Sequence, residues 1–183
     1  MVELFVKQAS EYAKTRPSYP KQLFDFIASK TPFDDLVWDV GSGSGQAVVS
    51  VSFLDRIYKS VIATDTSSTQ LDHVPRLPNV HYRHTPLTIP TDDLPLLIDG
   101  ESTVDLVTVG QALHWFGLPS FYNQAQWVLK KSNDVVAAVC YCTPEIEWTV
   151  DSFYMVDSAP YWNPQRKLVA KGGEFIFYVL FIF

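Results

Sequence analysis

Apolar residues in this chain fall into two patterns. Some form unbroken runs, and others recur every three or four positions. Unbroken runs mark strands covered on both faces, and helical spacing marks the segments that cover them. Four runs predict strands: Leu36-Val37-Trp38-Asp39-Val40, Ser60-Val61-Ile62-Ala63-Thr64, 104–109 and 134–141; Val80-His81-Tyr82-Arg83-His84, reached through a loop containing Pro75 and Pro78, is expected as the third strand. Helical spacing predicts helices over 7–14 and over 21–29, the latter with Leu23, Phe24 and Ile27 on one face. It predicts others over 46–54 with Ala47, Val48, Val51 and Leu54, over 66–73, and over 121–130 with Ala125, Val128 and Leu129. Residues 86–100 are rich in Pro and Asp and predict no helix. Strands alternating with helices predict an α/β fold, a doubly wound and mainly parallel sheet with helices on both faces.

The pattern fails after residue 142. Residues 143–165 carry aromatics and three prolines with little periodicity. Phe175 to Phe183 is then an unbroken apolar run, which reads either as one strand or as a non-native ending. An edge strand of that kind presents unpaired backbone groups and invites aggregation. We expect one domain, divided into a helical N-terminal segment (1–30), a core (35–142) and a divergent C-terminal segment (143–183) whose strands are incomplete.

Composition narrows the chemistry. Hydrophobic residues make up 47% and charged residues 19% of 183 positions, which excludes a disordered chain and suits a single core. A net charge of -6 with no basic run argues against nucleic acid as the partner and favours a small molecule. Cys140 and Cys142 cannot make a disulfide framework and supply too few ligands for a metal. They are expected as small buried residues. The first residues lack a signal-peptide pattern, and no run approaches the roughly 18 apolar residues of a membrane span, so a cytoplasmic location is expected.

The chemistry concentrates where strands end. The first run closes on Asp39-Val40-Gly41-Ser42-Gly43-Ser44-Gly45, an acid followed by alternating glycines. Such a turn is expected to bring bare backbone N–H groups to a nucleotide-like ligand. A dinucleotide fingerprint would place its third glycine at position 46, where Gln46 stands. Asp65 ends the second strand 20 residues past Gly45. There a carboxylate can hold a ribose diol, or it can cap the following helix. The fourth strand leads into Gly110-Gln111-Ala112-Leu113-His114-Trp115-Phe116 at the edge where open α/β sheets bind ligands. His114 is the candidate general base, with a hydrogen-bonded structural histidine as the alternative. Trp115 and Phe116 suit either core packing or an apolar face for a cation.

These motifs resemble, in order, those of the class I S-adenosylmethionine-dependent methyltransferases. Tyr12, Arg16, Pro17, Tyr19 and Pro20 resemble a lid segment of the subgroup that includes relatives of trans-aconitate methyltransferase, as does Gln111-Ala112-Leu113-His114-Trp115-Phe116. The resemblance implies methyl transfer from S-adenosyl-L-methionine to a small-molecule acceptor. It implies cofactor binding by Tyr12, Arg16, Asp39, Gly41, Ser42, Gly43, Gly45, Asp65, Thr66, Thr85, Gln111, Ala112 and Trp115. Where the family often carries an acid or amide for the adenine, this chain has Thr85-Pro86. The competing classes are a nicotinamide-dependent oxidoreductase and a cofactor-binding fragment without activity.

Overall fold

The computed structural model describes residues 19, 21–45, 58–131, 135–141 and 177–182. The expected helices over 7–14 and 46–54, together with Tyr12 and Arg16, lie outside the described residues. So does Cys142.

The amphipathic stripe of α1 (Lys21–Ala28) buries Leu23, Phe24 and Ile27, as its spacing predicts. Strands β1 (Leu36–Val40), β2 (Ser60–Asp65), β3 (Val80–His84), β4 (Leu106–Gly110) and β5 (Val135–Tyr141) pair in parallel in the order β3-β2-β1-β4-β5. A sixth strand, β6 (Phe177–Ile182), lies beside β5, so the apolar tail supplies a strand. Compactness divides the chain into one unit of Met1–Val139 with Val179–Phe183 and a second of Cys140–Tyr178. The site described below belongs to the first.

The strand order reverses between β1 and β4. Connections leave β1 toward β2 and β3, and β4 then returns to its other side. That reversal opens a crevice at the carboxyl ends of β1 and β4, the usual ligand position in open α/β sheets.

One face of the sheet packs Leu36, Trp38, Ile62, Val107, Val109 and Val136 against helical residues. The helices are α3 (Leu94–Ile98), which buries Leu94 and Ile98, and α4 (Leu118–Val128), which buries Phe121, Ala125 and Val128. Short α2 (Ser68–Leu71) follows β2. At the opposite edge from the crevice, buried Asp105 accepts the N–H groups of Asp35 and Leu36 at 2.8 Å each. It also pairs with Lys130 at 2.8 Å, so one carboxylate ties the entrance of β1 to the exit of α4.

Three expectations are corrected. Residues 86–100 do contain a helix, α3, because Pro95 sits in its first turn, where a missing N–H costs nothing. The helix after β2 is shorter than 66–73, and its cap is the Ser67 side chain, which accepts from Gln70 N–H, rather than Asp65. Cys140 is exposed, not buried, because β5 pairs with β4 only as far as Val139 and Cys140 passes beyond that partner. Among the described residues, no helix is long and apolar enough to cross a membrane.

Candidate active site

The glycine turn needs glycine for backbone reasons at each step. Gly41, Gly43 and Gly45 adopt φ of +72°, +58° and +81°, a region that costs an L-residue roughly 1–2 kcal/mol. Gly41 has a second reason. A Cβ there would lie 2.5 Å from the Ala112 Cβ, so the turn after β1 and the segment after β4 meet with no room for a methyl group.

The N–H groups of this turn are not bare, contrary to expectation. Gly41 and Ser42 donate to the Thr64 carbonyl at 2.8 and 3.0 Å, and Gly45 donates to the Ser42 carbonyl at 2.9 Å. Gly43 donates to Asp65 Oδ2 at 2.8 Å. The turn is stitched to β2, and these four donors are committed within the protein. A pyrophosphate, which depends on such donors, therefore fits poorly. A ligand without phosphate loses nothing.

Asp65, half-buried at the end of β2, also accepts the Ser67 N–H at 2.8 Å through Oδ1. Each carboxylate oxygen thus makes one protein bond and keeps a second lone-pair direction for a ligand hydroxyl. Asp65 fastens the turn and faces the crevice with the same group. Its backbone carbonyl receives the N–H of buried Thr85 at 2.9 Å, which sets the exit of β3 beside it. Next to it, the Thr66 carbonyl is 3.1 Å from His84 Nε2.

Asp39 is fully buried beneath the turn. Its Oδ1 accepts the Thr108 hydroxyl of β4 at 2.6 Å, the residue opposite it in the pairing register. Its Oδ2 has no hydrogen-bond partner among the described residues, an orphaned buried acceptor. Burial pushes the carboxyl up to about 6, the Thr108 hydroxyl opposes the rise, and the charge of Asp65 adds to it. A second buried acid so near Asp65 gives the crevice floor an appetite for positive charge.

The segment after β4 makes the other wall. Gln111 takes φ +58° and donates its N–H to the Val139 carbonyl at 2.9 Å, which turns the chain off the sheet. Ala112 is buried against Gly41. A single 3-10 turn, Leu113–Trp115, then exposes His114 and Trp115 with their rings 4.8 Å apart. Trp115 is 44% exposed, so it is a rim residue and not core packing. Phe116 is the packed aromatic, 5.1 Å from the Phe121 ring.

The structure therefore brings Asp39, Gly41, Ser42, Gly43, Gly45, Asp65 and Thr66 to one strand edge, with Gln111, Ala112, His114 and Trp115 on the adjoining segment. Thr85 is joined to them through Asp65. Sequence reading passed over two contributors. Thr108 is an ordinary strand threonine in the pattern, and only the β1–β4 register shows that it serves Asp39. Gln70 reads as a polar helix residue, yet its amide oxygen lies 2.9 Å from where a Gly43 Cβ would stand.

A sequence family described as a methyltransferase domain matches residues 38–137, from within β1 to within β5. The chain belongs to this family. The chain is 31% identical over 169 residues to a provisionally named methyltransferase of Dictyostelium discoideum, covering 88% of this chain and 60% of that protein. It is 29% identical over 143 residues to a protein of Saccharomyces cerevisiae named as a probable S-adenosylmethionine-dependent methyltransferase, covering 75% and 47%. Among solved structures, a provisionally named type II methyltransferase from Anaeromyxobacter dehalogenans is similar, with a TM-score of 0.65 and 32% identity. That match covers 82% of this chain and 61% of the other. The chain thus spans about half to three-fifths of the length of these relatives.

Proposed function

We propose that this domain is an S-adenosylmethionine-dependent methyltransferase acting on a small-molecule acceptor. One observation carries the reading: Asp65 is pinned to Gly43 at the carboxyl end of β2, with lone pairs left for a ribose diol. The committed N–H groups of the turn favour a ligand without phosphate, and the paired acids favour a cationic one. S-adenosylmethionine meets both demands. The yeast relative's name points the same way.

When bound, the cofactor supplies an electrophilic methyl on a sulfonium. The domain's own residues would do the rest. Gly41, Ser42, Gly43 and Gly45 let the backbone close on the methionine portion, with Asp39 as the negative charge below. Asp65 and Thr66 would hold the ribose, and Thr85 would border the base. Gln111, Ala112 and Trp115 would wall the crevice near the transferred methyl. His114, exposed on the rim, would accept the acceptor's proton if the acceptor must lose one. Tyr12 and Arg16 would contribute from the N-terminal segment. Alignment of two reactants can lower a barrier by several kcal/mol without acid or base, so a single candidate base is sufficient.

Equilibrium titration with S-adenosylhomocysteine tests these roles. Asp65→Ala should weaken binding by about 1.5–3 kcal/mol, the usual loss for charge-assisted hydrogen bonds. His114→Asn should leave that affinity unchanged and slow turnover once an acceptor is found. Unaltered affinity in Asp65→Ala would remove the ribose role. Lost affinity with normal saturated turnover in His114→Asn would remove the base role.

A further inference from the structure

Thr108 stands in the middle of β4 and is buried, as are its apolar neighbours Leu106, Val107 and Val109. Its register partners are Asp39 on β1 and Ala137 on β5. Ala137 offers only a methyl group, and the Thr108 hydroxyl donates to Asp39 Oδ1 at 2.6 Å. A valine would fill the same place in the strand with no hydroxyl to satisfy. The polar atom is therefore a cost unless Asp39 uses it.

What Asp39 gains is its charge. A donor on Oδ1 favours the carboxylate, whereas burial and the Asp65 charge favour the protonated acid. The other groups that face Asp39 from the described residues do not help. Asp65, at the end of β2, repels the charge, and Tyr82 on β3 is held neutral by its own rise to about 12. The second oxygen, Oδ2, has no hydrogen-bond partner among the described residues. We propose that Thr108 is a positioning residue for the cofactor's cationic end: its hydrogen bond holds Asp39 as a carboxylate, so that the crevice floor attracts that end at neutral pH. This rests on the S-adenosylmethionine reading above and adds to it a pH window set from β4.

The test is a pH series. S-adenosylhomocysteine is titrated into wild type, Thr108→Val, Thr108→Ser and Asp39→Asn from about pH 5 to about pH 8. Binding uses the ionised carboxyl, so wild-type affinity should fall as pH drops through about 6. Thr108→Val should move that fall upward by about one pH unit, the effect of one lost charge-assisted hydrogen bond. It should then bind roughly 5-fold more weakly than wild type at about pH 6 and nearly alike at about pH 8. Thr108→Ala takes its place should Thr108→Val fold poorly. Thr108→Ser, which keeps the hydroxyl, should keep the wild-type profile, and Asp39→Asn should show no fall near pH 6. A loss in Thr108→Val that is equal at every pH would mean that Thr108 only packs the strand, and an unmoved profile would also overturn the proposal. A fall near pH 6 that survives in Asp39→Asn would assign the titration to another group, such as His84 or His114, and overturn it as well. Wild type that ignores S-adenosylhomocysteine at every pH would instead overturn the cofactor reading itself, and this proposal with it.

Discussion

At the scale of the residue, the site is held in a strained electrostatic state by Asp39. Its carboxyl rises from the ordinary 3.8 to about 6, first through burial and then through the charge of Asp65, against the Thr108 hydroxyl. Tyr82 is a further titratable group that feels Asp39. Burial and then the Asp39 charge push it up to about 12, so it stays neutral at ordinary pH. The sign follows from proton binding. Between pH 4 and 6 the folded chain holds a proton on Asp39 that the unfolded chain has released. Asp39 therefore contributes most to stability below about pH 4, and this contribution is lost as pH rises through about 6. A rise from 3.8 to about 6 corresponds to roughly 3 kcal/mol as an upper figure. Asp39→Asn keeps an acceptor for Thr108 and abolishes the titration. The stability of the variant relative to wild type should climb from pH 4 to pH 7, by up to about 3 kcal/mol. Denaturant midpoints at several pH values would measure it. A flat or falling difference would contradict the burial argument.

At the scale of the element, the glycine turn is a joint between two pieces of backbone. Gly41→Ala places a methyl group 2.5 Å from the Ala112 Cβ and forces alanine to φ +72°. The backbone term alone should cost about 1–2 kcal/mol, and the clash adds to it. Gly41→Ala with Ala112→Gly should recover the clash but not the backbone term, so rescue should be partial. Thermal unfolding of the pair separates the two contributions. Full rescue would show that φ does not matter there, and no rescue would show that the segments do not meet.

The same scale shows what the sequence could and could not tell. Strands such as Leu36–Val40 and Leu106–Gly110 were legible because they are largely apolar runs bounded by turn residues, and parallel central strands tolerate little else. The stripe in Lys21–Ala28 was legible for the same reason. The helix Leu94–Ile98 was not, because Pro95 reads as a breaker unless its place in the first turn is known. The partners of the turn's N–H groups were also hidden, since Thr64 offers only its carbonyl and a carbonyl has no sequence signature. Gln70 was invisible for the opposite reason: a polar residue in a short helix ordinarily faces water.

At the scale of the whole molecule, the fold sets a rule for what its ligand must be. The strand order β3-β2-β1-β4-β5 opens the crevice, and its floor carries Asp39 and Asp65. Four turn N–H groups that might have held a phosphate are spent on Thr64, Asp65 and Ser42 instead. The central claim is that this crevice takes S-adenosylmethionine and not a dinucleotide. Isothermal calorimetry on the purified chain, with S-adenosylhomocysteine, NAD and NADP in parallel, tests it most directly. S-adenosylhomocysteine should bind saturably at one site and neither dinucleotide should bind, and binding of NAD or NADP in its place would contradict the S-adenosylmethionine assignment.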